Sequence, residues 1–364
     1  MDNYTEKLVL VSLTNSAGGA EQVLNIISNE TNSPLIFLKQ KFQTCLPINY
    51  EDKRVKFLTR KSLLIGFLLL IKELRAYRSG YTIMSTHPYL NAYLGILKRI
   101  GYLRSSIVVR ECNSIFIQYR GLKKLSYQIA YALGYPAISL VVCQTDVMRD
   151  QLLEHNSFLP KDRVIVQDNP INLDLINQKA IEPLDDLDTK TDFICAAGRL
   201  VPVKGFNILI KSFESIAKEY PKLKLLILGE GKDRDKLNHL IVQLGLENQV
   251  KLKGHVDNPY NYFKKAKICV VSSTHEGFPN VLLQMMAVNK SVVSTLCAGG
   301  IETINSITKV GVNNVSALSE ALKLELLKKK PFKDQKMNKI FDNRTPEVFV
   351  KSIFKEVRKK KSFA

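Results

Sequence analysis

Two series of short apolar runs, alternating with stretches of helical spacing, set the tightest limit on what this chain folds into. The first series covers Lys7-Leu-Val-Leu-Val-Ser-Leu13 and residues 33–38, 81–85, 106–109 and 140–144. The second covers residues 193–197, 223–228, 250–252, 268–272 and 291–294. Near-continuous apolarity is what a strand buried on both faces requires. Strands alternating with helices imply parallel sheets joined by crossover helices. At 364 residues the chain is long for one core. The polar, Pro-bearing segment Glu182-Pro-Leu-Asp-Asp-Leu-Asp-Thr189 separates the two series. The expectation is an α/β domain over 1–180, a second over 181–345, and a helix with a basic tail over 346–364 that crosses back. Paired α/β domains take ligands near the C-terminal ends of their strands.

Charge narrows the partners. Lys and Arg number 53 against 34 Asp and Glu, a net charge of +19, and both halves are basic. A field of this sign favours nucleic acid, anionic lipid or phosphorylated small molecules. No basic stripe interleaves with aromatics and Trp is absent, which argues against nucleic acid. Six scattered cysteines form no CxxC, and Cys143, Cys195 and Cys269 sit inside apolar runs, as suits a reduced compartment. No signal peptide is read at the N-terminus, and the uncharged run Leu63–Ile71 is too short to span a bilayer. The segment Arg60–Arg78 has basic ends and an apolar middle. It fits either a helix buried between layers or a face pressed into a membrane interface. The stretch Lys323–Lys361 holds 14 basic and 5 acidic residues. It reads as a solvated basic tail that also adds affinity for anionic headgroups.

Glu276-Gly277-Phe278-Pro279-Asn280-Val281-Leu282-Leu283-Gln284 follows one strand-like run and opens a helix-like one. Backbone N–H groups at a helix start, with the positive dipole end behind them, seat a phosphate. The Glu276 carboxylate repels phosphate and suits a neutral, hydroxyl-rich group beside it. A sugar joined to a diphosphate meets both demands. In Ala197-Gly-Arg-Leu-Val-Pro-Val-Lys-Gly205, Arg199 and Lys204 follow a strand in one short loop. Two converging cations suit a diphosphate that gains charge as it departs, or else are simply surface charges. Ser16-Ala-Gly-Gly-Ala-Glu21 lies between the first strand and helix, and Ser85-Thr-His-Pro88 follows another strand. The paired glycines fit a close backbone approach to ligand or a plain tight turn, and His87 a hydroxyl contact or a structural role. Leu228-Gly-Glu-Gly231 and Lys251-Leu-Lys-Gly-His-Val256 complete the set.

In order and spacing, these motifs resemble the retaining GT-B glycosyltransferases of glycosyltransferase family 4, over roughly residues 8–320. The resemblance implies a GT-B fold, two Rossmann-like parallel-sheet domains facing across a cleft. Residues 198–205 match that family's GR-x-x-x-x-KG pattern, which carries diphosphate binding to Arg199 and Lys204. It places Glu276 on donor-sugar hydroxyls and the backbone of Phe278, Pro279, Asn280 and Val281 on phosphate. Gly229 and the backbone of His255 and Val256 fall to the nucleotide, Gly18 and Gly19 to the diphosphate and reaction centre, and His87 to the donor sugar. Arg110-Glu111 matches an Arg-Glu-x-Asn pattern through Asn113. The second Glu of the family's E-x7-E, which binds ribose, is here Gln284, a departure that predicts weaker nucleotide binding.

The activity so implied is metal-independent transfer from a nucleotide sugar, UDP-linked, with no cofactor. The acceptor is a glycan, lipid-linked, in surface polysaccharide or oligosaccharide biosynthesis. The place is the cytoplasm, peripheral on the anionic inner face of the cytoplasmic membrane. A sugar-nucleotide epimerase or hydrolase, and a catalytically inactive partner subunit motivated by Gln284, are the alternatives. Asp186-Leu-Asp188 and Asp233-Arg-Asp235 resemble the metal-binding DxD, but neither directly follows an apolar strand. Solvated loops are expected there, and no metal site.

Overall fold

The computed structural model describes residues 7–42, 46, 48–112, 115–328 and 340–361, and divides into two units, Met1–Ile171 with Asn343–Ala364, and Asn172–Asp342. Asn113 of the Arg-Glu-x-Asn pattern and residues 329–339 of the basic C-terminal stretch lie outside the described residues.

The first unit begins β1 (Lys7–Thr14), α1 (Gly19–Thr31), β2 (Leu35–Lys39), β3 (Val55–Thr59), α2 (Leu63–Leu74), β4 (Tyr81–Ser85) and α3 (Pro88–Arg99). It continues β5 (Ser106–Arg110), α4 (Ile115–Gln118), α5 (Gly121–Gly134), β6 (Leu140–Cys143), α6 (Asp146–His155) and β7 (Val164–Val166). Its strands pair in parallel in the order β3-β2-β1-β4-β5-β6-β7. Alternate strand residues feed two cores, as the period of two demands. Val9, Val11, Ile83, Ile107 and Val109 meet Leu70 and Leu74 of α2, Leu90, Leu94 and Leu97 of α3, and Tyr127 and Tyr131 of α5. Leu8, Leu10, Met84 and Val108 face the other way, onto Val23, Leu24 and Ile27 of α1.

The second unit runs α7 (Leu173–Ala180), β8 (Phe193–Ala197), α8 (Phe206–Glu219), β9 (Lys224–Leu228), α9 (Arg234–Gln243), β10 (Val250–Gly254) and α10 (Tyr260–Lys265). It closes with β11 (Ile268–Val271), α11 (Asn280–Val288), β12 (Val292–Thr295), β13 (Thr308–Val310) and α12 (Val315–Leu327). Its parallel sheet has the order β10-β9-β8-β11-β12-β13. The chain then returns to the first unit as α13 (Pro346–Lys361), whose Phe349, Val350, Ile353, Phe354 and Val357 complete the core beside α1. Both parallel sheets have the doubly wound arrangement.

Three sequence expectations are corrected, one being the loop at Asp233 and Asp235: Asp233 caps α9 and Asp235 lies in its first turn. The apolar helix α2 is not buried between layers: Gly66, Leu70 and Leu74 face the sheet, while Leu64 and Leu68 are 79% and 69% exposed. Nor do Asp186 and Asp188 lie in a solvated loop. Lys253 Nζ sits 2.8 Å from Asp186 Oδ2 and 3.0 Å from Asp188 Oδ2, and Lys224 Nζ 2.7 Å from Asp188 Oδ1. The Lys224 hydrogen bond, with Lys253 adding to it, holds the Asp188 carboxyl below its ordinary range. These aspartates tie the segment before β8 to β9 and β10.

Candidate functional site

Each sheet reverses its winding at one place. In the second unit, strands from β8 proceed to β9 and β10 on one side, then to β11, β12 and β13 on the other. In the first unit the reversal lies between β1 and β4. Adjacent loops diverge at such a switch point and leave a crevice at the strands' C-terminal ends. The loops after β8 and β11 carry Arg199, Lys204 and Glu276; those after β1 and β4 carry Gly18 and His87, and Gly19 opens α1.

In the second unit the chain past Ala197 forms a 3-10 turn over Pro202–Lys204 before entering α8 at Gly205. Gly205 has a φ of 63°, and a Cβ there would stand 2.0 Å from the carbonyl oxygen of Ser272. Only glycine allows that approach. The Ser272 hydroxyl donates to the Lys204 carbonyl at 2.9 Å, and the Thr274 N–H to the Val203 carbonyl at 2.8 Å. The loop is thus stitched to the end of β11. The outcome is an ion pair: Lys204 Nζ lies 2.5 Å from Glu276 Oε1, with both side chains mostly buried. Ser273 Oγ donates to the same oxygen at 2.8 Å, and the Glu276 N–H donates to the Cys297 carbonyl at 2.7 Å. Burial, with the Glu276 charge adding to it, pushes the Cys297 thiol up to about 12. Arg199 is exposed and its guanidinium has no side-chain partner among the described residues.

The neighbouring loops join this one. The Leu200 N–H donates to the Glu230 carbonyl at 2.9 Å, and the Gly229 N–H to the Gly254 carbonyl at 2.6 Å. Gly229 has a φ of 134°, and a Cβ there would stand 2.0 Å from the Gly198 oxygen. Gly229 therefore links the Arg199 loop to the turn leading into His255 and Val256. His255 is exposed, 3.7 Å from Asp257 Oδ1. On the other side, Phe278 and Pro279 are buried and lead into α11, whose N-cap, Pro279, supplies no side-chain hydrogen bond. Asn280, Val281 and Gln284 occupy the first turns of that helix, half-buried. His275, beside Glu276, buries Nε2 without a hydrogen-bond partner. Neither His275 nor Ser273 was singled out in the sequence; their place immediately before the Glu276 loop was the available signal.

In the first unit Gly18 caps α1, and the Glu21 carboxylate folds back close enough that a Cβ on Gly18 would lie 2.3 Å from its Oε2. His87 caps α3, with its ring 5.8 Å from that of Tyr89 and Nδ1 buried without a partner. Burial lowers its pKa to about 4, so the ring is neutral near pH 7. Arg110 and Glu111 end the adjacent strand and are buried. Tyr131 and Tyr135 both donate to the Glu111 carboxylate, Asn91 Nδ2 donates to the Tyr135 hydroxyl at 3.1 Å, and Ser85 Oγ to Asn91 Oδ1 at 2.6 Å. This network fixes the β4 and β5 ends that carry His87. Arg110 donates from Nη2 to Asn169 at 2.5 Å and lies over the Phe349 ring.

The fold defined by these two units is GT-B. Residues 178–345 match the family described as Glycosyl transferases group 1. Over 361 residues the chain is 29% identical to the N-acetylgalactosamine-N,N'-diacetylbacillosaminyl-diphospho-undecaprenol 4-alpha-N-acetylgalactosaminyltransferase of Campylobacter jejuni, covering 93% of each. It is 27% identical over 196 residues to the capsular polysaccharide biosynthesis glycosyltransferase CapM of Staphylococcus aureus, covering 50% of this chain and 51% of that protein. The crystal structure of Anabaena Alr3699/HepE in complex with UDP and glucose superimposes with a TM-score of 0.78 at 17% identity, over 97% of this chain and 100% of that one. These likenesses support a glycosyltransferase of GT-B fold whose relatives act in polysaccharide and lipid-linked glycan biosynthesis. The epimerase, hydrolase and inactive-subunit readings are not favoured.

Proposed function

We propose that this chain is a retaining, metal-independent glycosyltransferase that moves a sugar from a UDP-sugar to a lipid-linked glycan. The observation that carries this reading is the Lys204–Glu276 pair at the switch point of the second sheet. It sets a cation suited to a diphosphate against a carboxylate suited to sugar hydroxyls, at the mouth of α11. The likeness to a transferase acting on a diphospho-undecaprenol substrate supports the acceptor class, and that to a structure holding UDP supports the donor.

On this reading Arg199 and Lys204 stabilise the departing diphosphate, and the backbone of Phe278, Pro279, Asn280 and Val281 cradles its phosphate beside the sugar. Glu276 holds the sugar, and Gln284 the ribose. Gly229 and the backbone of His255 and Val256 meet the nucleotide. The bond from anomeric carbon to phosphate oxygen breaks while the acceptor oxygen bonds to the same face. The acceptor's proton passes to the departing phosphate oxygen. No side-chain nucleophile is required, so the protein contributes orientation and charge stabilisation. Arg199 and Lys204 fill the electrostatic role a divalent ion has elsewhere. No helix among the described residues is long and apolar enough to cross a membrane; the proposed place is the cytoplasm, peripheral on the inner membrane face. Arg199→Ala should lower turnover at least about 100-fold, about 2.7 kcal/mol of transition-state stabilisation. Near-wild-type transfer by that variant would remove the basis of the assignment.

A further inference from the structure

The first unit exposes more apolar side chain than its core geometry requires, and the excess is concentrated on two helices. In α5, Tyr127 and Tyr131 face the sheet. The opposite side carries Leu122, Leu125, Ile129 and Leu133, at spacings of three and four, all exposed, Leu122 at 85%. In α2, Leu64 and Leu68 likewise stand away from Leu70 and Leu74. Both helices pack on the same face of the sheet, one on each side of α3. Phe67 of α2 meets Tyr93 of α3 with ring centroids 4.9 Å apart, and Tyr127 of α5 stacks on Tyr89 of α3 at 4.5 Å. The two apolar stripes therefore look outward from a single layer.

We propose that this α2–α5 face docks on an anionic lipid bilayer. The charge of the segment selects that occupant. Residues 60–145 contain twelve Lys and Arg, of which Arg110 is buried, and only two acidic residues, Glu73 and Glu111. Glu73 is paired with Lys56, and Glu111 is buried. Exposed Lys61, Lys72, Arg99, Arg120 and Lys123 border the leucines. Apolar side chains framed by basic ones match the acyl and headgroup zones of an anionic membrane surface. A second copy is disfavoured, because a two-fold contact would set one strongly basic face against another. The face lies close to the end of the sheet that carries His87. Ser126, within α5, hydrogen-bonds Tyr89 at 2.7 Å, and the Tyr89 ring neighbours His87. Docking through α5 would hold that end of the sheet at the membrane, where a lipid-linked acceptor resides. That purpose rests on the glycosyltransferase reading; the docking does not.

The test is sedimentation of the full chain with phosphatidylcholine vesicles, with and without phosphatidylglycerol and without any acceptor. Binding is read apart from turnover, so failure here and failure of the transferase reading are separate results. The wild type should bind the anionic vesicles at low salt, bind neutral ones far more weakly, and release as salt rises. Leu125→Glu with Ile129→Glu, and Leu64→Glu with Leu68→Glu, should each weaken binding at least about tenfold. All four residues are exposed, and unchanged thermal unfolding would verify that the variants fold. Leu324→Glu, which alters an exposed leucine of α12, should bind as the wild type does. Absence of binding to anionic vesicles at low salt overturns the proposal. So does undiminished binding of the α5 variant, or a wild-type dimer that the same substitutions dissociate.

Discussion

Lys204 and Glu276 stand 72 positions apart in the chain and meet through a 2.5 Å ion pair, one on the loop after β8 and the other on the loop after β11. Ser273 is the third member, donating to the same carboxylate oxygen. A mostly buried carboxylate that loses its cation retains the cost of its desolvation. Lys204→Ala should therefore lower folding stability by about 1–3 kcal/mol in urea titrations. The same variant should lose at least about 100-fold in transfer rate. Ser273→Ala should cost less than either. A Lys204→Ala protein of unchanged stability would mean the pair contributes nothing to holding these loops.

The loop architecture depends on two glycines. Alanine at position 205 would place Cβ 2.0 Å from the Ser272 carbonyl at a positive φ, and alanine at 229 would do the same against the Gly198 carbonyl. Backbone strain of this kind costs about 1–3 kcal/mol before the clash is counted. Both variants should unfold at lower urea concentration and bind nucleotide more weakly, since the Lys204 and Arg199 loops would have to shift.

Gln284 offers a gain-of-function test. A hydrogen bond to a charged group contributes about 1.5–3 kcal/mol, against about 0.5–1.5 for a neutral one. If residue 284 holds ribose hydroxyls, Gln284→Glu should tighten nucleotide binding about fivefold, as about 1 kcal/mol converts. Calorimetric titration measures this directly, and unchanged affinity would move the ribose contact elsewhere.

His87 makes a pH-dependent contribution whose sign is fixed by its lowered pKa. Burial takes the ring from 6.5 to about 4. Above pH 6.5 the folded and unfolded states are both neutral there and stability is unaffected. As pH falls from 6.5 towards 4, the unfolded chain binds a proton that the folded one does not. Stability then declines by at most about 1.4 kcal/mol per pH unit from this group. His87→Gln should flatten that part of the pH profile of unfolding. The wild-type transfer rate should show no titration between pH 6 and 8 that the variant lacks.

The central strands were legible because each is buried on both faces. Residues 193–197 and 268–272 differ little from β8 and β11 as found. The strands missed, β3, β7 and β13, lie at sheet edges. β3 mixes Lys56 and Thr59 with Val55, Phe57 and Leu58, and β7 and β13 are three residues each, so none presents a continuous apolar run. Arg199, Lys204 and Glu276 were legible because one loop motif contains each. Ser273 and the Glu111 network were not, since hydrogen bonding among Ser85, Asn91, Glu111, Tyr131 and Tyr135 exists only once α3 and α5 pack on β4 and β5. The α5 stripe has no distinct signal in the sequence, because Leu122, Leu125, Ile129 and Leu133 have the same helical spacing as a core face, and only the packing of Tyr127 and Tyr131 on the sheet turns them outward.

The most direct measurement is a calorimetric titration of UDP, GDP, ADP and CMP into the wild type and the Arg199→Ala and Lys204→Ala variants. Each variant keeps the loops after β9 and β10 and removes one cation from the proposed diphosphate site. UDP should bind the wild type in preference to the other three, and each variant should bind it at least about tenfold more weakly, about 1.4 kcal/mol. UDP binding equally well to all three proteins, or not at all to the wild type, would contradict it.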